Sequence, residues 1–306
     1  MGISQYIKEI GRGPRGSKPL TREQAADLFG QLLDGNVTDL EIGAFCLAMR
    51  IKGETPEEMC GFLGAAHSRM ALFPASDRPV IVLPSYNGAR KLPVLTPLLA
   101  LLLAREGLPV LLHGMRTEAR RTLASDVLLA LGVPALTAPE KIATGSVAHI
   151  ETGYLHAALA RLLKVREVVG LRNAGHSIVK LMNPCAGPAV VVTSYTHPEY
   201  YDMLQATFGA LHMTALLSRG LEGEVATDPR RTPRYDAFVA GVHQLLQEQQ
   251  PGTAADVPGL PTEIDIDTTA RYTQDVLDGS LPVPPALAQQ VEHILHLAAQ
   301  TPPHAP

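Results

Sequence analysis

Between a short apolar run, Val80 to Leu83, and a longer one that starts at Val94 lies the stretch SYNGARKLP (85–93). A turn from a buried strand into a helix leaves backbone N–H groups free at the positive end of the helix dipole, and phosphate is commonly held there. Loops that lay their backbone on phosphate are usually rich in glycine. This one has Gly88 alone, beside Tyr86 and Asn87, and then supplies two cations, Arg90 and Lys91. Asn87, Gly88, Arg90 and Lys91 are therefore candidate phosphate contacts, but bulky residues stand where a buried pyrophosphate would need bare backbone.

More cations follow the same logic. Arg116, Arg120 and Arg121 come after a second apolar run, Val110 to His113. Arg172, His176 and Lys180 are spaced four apart, which places them on one face of a helix if the helix starts early enough. Lys8, Arg12 and Arg15 lie in KEIGRGPRGSKP (8–19), which reads as a flexible basic connection: a clamp on a polyanion backbone, or a solvated linker. Guanidinium groups make bidentate hydrogen bonds to phosphate that lysine cannot. Other chemistries find no pattern. Cys46, Cys60 and Cys185 lack metal-ligand spacing, and the histidines form no HExxH. No GxSxG marks a hydrolase nucleophile, and no helix-turn-helix, zinc finger or RNP pattern reads bases. No metal site is expected.

The elements that must position these residues fall into two groups. Up to about residue 75 the chain reads as all helix. Capping boxes at Thr21/Gln24, Thr38/Glu41 and Thr55/Glu58 open three amphipathic segments. From residue 76 to 306 short apolar strands alternate with helices. Strands are expected at Val80–Leu83, Val110–His113, Ala148–Ile150, Ala189–Thr193 and His212–Leu217, with helices at 94–106, 122–131, 154–163, 175–182 and 198–209. Two further strands, Tyr235–Val239 and His243–Gln247, precede terminal helices near 268–278 and 285–300. Such alternation predicts an α/β protein with a mostly parallel central sheet flanked by helices. Ligands of open α/β sheets bind where loops leave the carboxyl ends of the strands, so Arg90, Lys91, Arg116 and Arg120 should share one edge.

The 306 residues are 46% hydrophobic and 18% charged, enough for one or two ordinary cores, and tryptophan is absent. No apolar run approaches the ~20 residues of a membrane span, so no membrane partner is expected and the cytoplasm is the expected compartment. The net charge of −4 hides a segregation. Residues 85–180 carry 12 Lys/Arg against 6 Asp/Glu, whereas residues 181–306 carry 5 against 14. A basic region on an acidic chain suggests a polyanion partner.

Taken in series, the segments resemble the anthranilate phosphoribosyltransferase family over nearly the whole chain. HGMR (113–116) stands where that family has KHGNR, SDVLLALGV (125–133) resembles its ADVLEALG, and LMNP (181–184) its PLxNP. KEIGRG (8–13), LPSYNGARK (83–91), RNAGHSIVKL (172–181), THPEY (196–200) and EGEV (222–225) are similar to a YbiB-like branch associated with nucleic-acid binding. The resemblance implies a nucleoside phosphorylase/phosphoribosyltransferase-like fold. It also implies a small helical domain (1–75, joined by a segment near 165–185) that forms a homodimer, and a large domain (76–306). It further implies that Arg166, Arg172 and Lys180 line the cleft, and that Arg166 and His156 are remnants of an aromatic-acid acceptor site.

The chain departs from the family's donor motifs. SYNGA replaces the GTGGD loop, Leu112 replaces the lysine of KHGNR, and Val225 and Ala226 fall on the acidic pair of DGLDE. Glu222 and Glu224 remain as candidates for a metal or as solvated carboxylates. The expectation is thus a homodimer that binds DNA or RNA, single strands favoured, through its phosphates, with no catalytic residue and no cofactor. The alternative is an active phosphoribosyltransferase using phosphoribosyl pyrophosphate and magnesium; a scaffold sensing a small aromatic acid through Arg166 and His156 is a third reading.

Overall fold

The computed structural model describes residues 2–13, 15–254 and 256–302. The first elements are helices α1 (Ser4–Ile10), α2 (Arg22–Leu33), α3 (Asp39–Lys52) and α4 (Pro56–His67). All three capping boxes form: the hydroxyls of Thr21, Thr38 and Thr55 accept from the amides of Gln24, Glu41 and Glu58, whose side chains reach back to the cap. Glu58 has a second task. Fully buried, it also accepts from the amide of Leu20 at 2.9 Å and pairs with Lys52 at 2.6 Å, fixing the entry to α2 against the end of α3. Phe29, Phe45 and Phe62 meet at the centre of the bundle with ring centroids 5.0 to 6.2 Å apart.

The large part is an eight-stranded sheet ordered β3-β4-β2-β1-β5-β6-β7-β8. Its strands are β1 (Val80–Pro84), β2 (Val110–Gly114), β3 (Ala135–Leu136), β4 (Val147–Glu151), β5 (Ala189–Tyr195), β6 (Ala215–Arg219), β7 (Tyr235–Val239) and β8 (Val242–Gln247). The first six run parallel, while β7 and β8 are antiparallel. Helices α5 (Thr96–Arg105), α11 (Ile266–Leu277) and α12 (Pro285–Gln300) share one core with Ile81, Val190 and Leu216. The opposite side joins Val80, Val82 and Leu111 to the helical bundle and to α8 (Ala157–Val169), α9 (Gly175–Ile178) and α10 (Tyr200–Ala210). This sandwiching is why the central strands read as unbroken apolar runs.

Several expected boundaries move. His212 takes φ +50 and sits in a turn, so β6 begins at Ala215. The helix expected at 154–163 is interrupted: α7 (Thr152–Leu155) is a single turn, His156 breaks it, and α8 continues to Val169. The helix expected at 175–182 shrinks to the four residues of α9. β3, two residues long, carries too little pattern to have been read. The N-terminal basic stretch is folded rather than a free connection: Lys8 lies in the last turn of α1, and the amide of Lys18 returns to the carbonyl of Glu9 at 3.0 Å. Pro14, within that stretch, lies outside the described residues.

Candidate phosphate-facing cleft

The loop after β1 crosses the end of β2, with the amide of Ser85 donating to the carbonyl of His113 at 2.8 Å. The crossing is so close that a Cβ on Gly114 would overlap the Ser85 carbonyl, so the glycine after His113 is a requirement of the loop's path. Tyr86 turns away from the cleft. Its ring is 3% exposed, its hydroxyl lies 2.8 Å from His113 Nδ1, and it accepts from Thr152 at 2.9 Å. The tyrosine therefore fills core beneath the loop and does not occupy the place of a phosphate, contrary to the reading from its bulk.

What occupies that place is a carboxylate of the same chain. Glu224 Oε1 accepts from the amides of Asn87 at 2.9 Å and Gly88 at 2.8 Å. Glu224 Oε2 accepts from the hydroxyls of Ser85 at 2.6 Å and Thr96 at 3.0 Å. Two residues earlier, Glu222 Oε2 accepts from the amides of Arg90 at 2.7 Å and Lys91 at 3.2 Å. Free amides and hydroxyls at a strand-to-helix turn attract an anion, and the loop after β6 delivers two. Asn87 closes the contact, donating to the Gly223 carbonyl at 2.8 Å while Lys180 Nζ donates to the same oxygen at 3.1 Å. Glu222 adopts φ +55, unusual for a residue with a side chain, and its docked carboxylate holds it there.

Neither expected role of these glutamates survives. They are not solvated: Glu224 is 5% exposed. They do not fit magnesium either, which needs several oxygens free to coordinate. Three of their four carboxylate oxygens are engaged by donors, and Val225 and Ala226, on the acidic pair's positions, are buried apolar groups. Among the described residues no other cluster of metal-ligating side chains forms.

The expected cations divide by exposure. Arg90, Lys91, Arg116 and Arg120 are exposed on the loops after β1 and β2, which are neighbours in the sheet. Arg116 also reaches Asp126 at 2.5 Å. Lys8, Arg12 and Arg15 are exposed in the helical bundle, where Arg12 pairs with Glu9 at 2.8 Å. Arg166 is not open to a ligand carboxylate: its guanidinium holds Glu118 at 2.5 Å and the carbonyl of Thr117 at 2.9 Å. His156 caps α8 by accepting from Leu159, and burial lowers its pKa. Ten residues apart on α8, about 15 Å along the axis, His156 and Arg166 do not make a compact acceptor site.

Arg172, His176 and Lys180 do come together, although only His176 lies in a helix. They line one cavity of about 230 Å³, closed on one side by the end of α3 and on the other by the end of β5 and the start of α10. Burial pushes Lys180 down to about 8, opposed by Glu224, and pushes His176 down to about 3 with help from Arg172. The docking of Glu224, the inward turn of Tyr86 and this cavity left no local sequence signal, because each joins segments far apart in the chain.

A helical bundle on a mostly parallel sheet, with its cleft at the carboxyl edge, defines a phosphoribosyltransferase-type fold. Residues 4–70 match the family model described as "Glycosyl transferase family, helical bundle domain". The anthranilate phosphoribosyltransferase of Thermus thermophilus aligns with a TM-score of 0.74 and 22% identity, covering 96% of this chain and 87% of that one. The anthranilate phosphoribosyltransferase of Methylobacterium nodulans is 32% identical over 90% of this chain and 82% of its own length. A protein named "Uncharacterized protein YbiB" from Escherichia coli (strain K12) is 37% identical over 95% of this chain and 92% of its own. The chain belongs to the anthranilate phosphoribosyltransferase (TrpD-like) family. No helix among the described residues is long and apolar enough to cross a membrane.

Proposed function

We propose that the protein binds nucleic acid, DNA or RNA, through its phosphates and without sequence specificity, as a homodimer. One observation carries this reading. Arg90, Lys91, Arg116 and Arg120 are exposed on adjacent loops at one sheet edge, above a phosphate loop whose amides Glu222 and Glu224 already take. An isolated pyrophosphate would have to displace two docked carboxylates, whereas a phosphate chain can pass over the exposed cations with the loop closed. Each neutralised phosphate releases counterions, so affinity falls steeply with salt.

The test is a binding titration with single-stranded DNA, duplex DNA and RNA of equal length from about 50 to 400 mM salt. Retention at the low end with a negative log–log slope is expected. Replacing Arg90, Lys91 and Arg120 with serine should weaken all three ligands and flatten the slope by about 2 for single strands and about 3 for duplex. Affinity indifferent to salt, or no retention at about 50 mM, would sink the reading.

Family membership favours one rival, phosphoribosyl transfer with magnesium. It predicts pyrophosphate release from the donor and a rise in melting temperature when donor and magnesium are added. With Glu224 docked and the acidic pair replaced, neither is expected.

A further inference from the structure

The cavity that joins Arg172, His176 and Lys180 holds polar hydrogen-bonding capacity left unused among the described residues. His176 Nδ1 lies 3.3 Å from both the amide and the side-chain Oδ1 of Asn173, which holds the ring with Nε2 turned away from these partners. The ring is 8% exposed, and Nε2 has no hydrogen-bond partner among the described residues. Arg172 commits one N–H to Asn87 and Lys180 one to Gly223, which leaves further donors on both. Unpartnered buried polar groups are costly, so such a set points to an acceptor from outside.

Charge points the same way. Glu118 faces three guanidiniums: it pairs with Arg166 and Arg121 and feels Arg172. Among the charged residues that line the cavity, Arg50 and Glu54 offset each other, and Arg172 and Lys180 leave a net positive charge. The side wall is different in kind: Tyr195, Tyr200, Met203 and Leu204 give it an aromatic and apolar surface. An anion with a flat ring attached matches both halves. A cavity of about 150 Å³ accepts benzene, so a cavity of about 230 Å³ that opens to solvent has room for one heteroaromatic ring with an anionic group beside it.

We propose that this cavity is a single-nucleotide pocket. It takes one unstacked nucleotide, with the base against Tyr195 and Tyr200 and the phosphate on Arg172 and Lys180, beside the unpartnered Nε2 of His176. The proposal rests on the nucleic-acid reading and adds to it a reason for preferring single strands, since a paired and stacked base cannot enter. Base–aromatic stacking favours the open strand by about tenfold or more.

The experiment uses a short oligothymidylate with one internal 2-aminopurine, the matching duplex, and a free nucleoside 5′-monophosphate. In the wild type the single strand should bind about tenfold tighter than the duplex, with 2-aminopurine emission quenched on binding. In Tyr200→Leu the single-strand to duplex ratio should fall to about one and the quenching should vanish. A melting curve checks that Tyr200→Leu is folded, and Tyr195→Leu replaces it if it is not. If the ratio and the quenching persist in the variant, the pocket is overturned while the phosphate reading stands. If no strand binds at all, the nucleic-acid reading fails and the monophosphate decides. Wild-type binding that Tyr200→Leu abolishes assigns the pocket to free nucleotides, and no binding overturns it.

Discussion

Glu224 Oε1 lies 2.8 Å from the amide of Gly88, 136 residues earlier in the chain, and so places a carboxylate where a loop of this shape would hold phosphate. The contact ties the loop after β6 to the loop after β1 and closes the sheet edge between them. Asn87 and Lys180 both reach the backbone of Gly223 beside it, so the closed loop and the cavity floor share one lysine.

Removing that carboxylate should open the site and reveal what it mimics. Glu224→Ala leaves two amides and two hydroxyls without an acceptor, a loss of about 2–4 kcal/mol in unfolding free energy by urea titration. Inorganic pyrophosphate should then restore part of the loss in the variant and do little to the wild type. Equal effects of pyrophosphate on both proteins would show that the amides are not an anion site.

The loop's backbone is a second handle on the same contact. Gly223 has φ +84, and a Cβ there would collide with the Asn87 amide group. Gly223→Ala should therefore undock the loop, lowering stability by about 1–3 kcal/mol. Pyrophosphate should rescue it less than Glu224→Ala, because Glu224 remains present as a competitor. Melting temperatures measured with and without pyrophosphate separate the two variants.

The sequence made the framework legible because its signals are local. Capping boxes and apolar runs each lie within a few residues, and they located α2, α3, α4, β1, β2, β5, β7 and β8 closely. It failed at His212, whose φ of +50 belongs to a turn, and at His156, whose side chain caps a new helix by accepting from Leu159; hydrophobic periodicity registers neither. For the site, the exposed cations at 90, 91, 116 and 120 could be read, since strand ends fix which loops share an edge. The partners of Glu222 and Glu224 could not, because nothing short-range distinguishes a carboxylate docked on a loop 136 residues away from one in water. The partner of Arg166 is hidden from the sequence for the same reason: Glu118, which holds it, lies 48 residues earlier.

Lys180 gives stability and binding opposite pH trends. Burial lowers its pKa from 10.5 to about 8. Between these values the unfolded chain binds a proton that the folded chain has released, so this group makes stability rise with pH across that window. The same loss of charge removes a phosphate contact, so nucleic-acid affinity should fall between pH 7 and 9. Lys180→Arg stays charged and should flatten the affinity profile. A wild-type affinity constant from pH 7 to 9 would count against Lys180 as a contact.

His113 sets an acid limit. Buried beneath the phosphate loop, it is pushed down to about 3 from 6.5, and the unfolded chain therefore takes up a proton first. Its contribution is complete above pH 6.5 and is lost as pH falls toward 3, at about 1.4 kcal/mol per pH unit. His176 behaves alike, so the two slopes add. Urea titrations at pH 7, 5.5 and 4.5 should show that His113→Gln removes about half of the combined slope.

The helical bundle carries the last expectation. Leu40, Leu47 and Ile51 on α3 are 83%, 46% and 59% exposed, and the space above Gly43 is open. Spacings of three, four and four place these four residues on one helical face, an apolar stripe that water covers only at a cost. A second copy of the chain would cover it and make the proposed homodimer. Leu47→Glu with Ile51→Glu should then give monomers by light scattering without unfolding, since both positions lie outside the core. Binding separates this role from a local one. A strand long enough to reach both clefts gains affinity from the dimer by raising the effective concentration of the second site. The two glutamates on α3 should therefore weaken a long oligonucleotide by about tenfold or more and leave a short one nearly unchanged. Equal weakening of both lengths would place the stripe within the binding surface and remove it from the dimer contact.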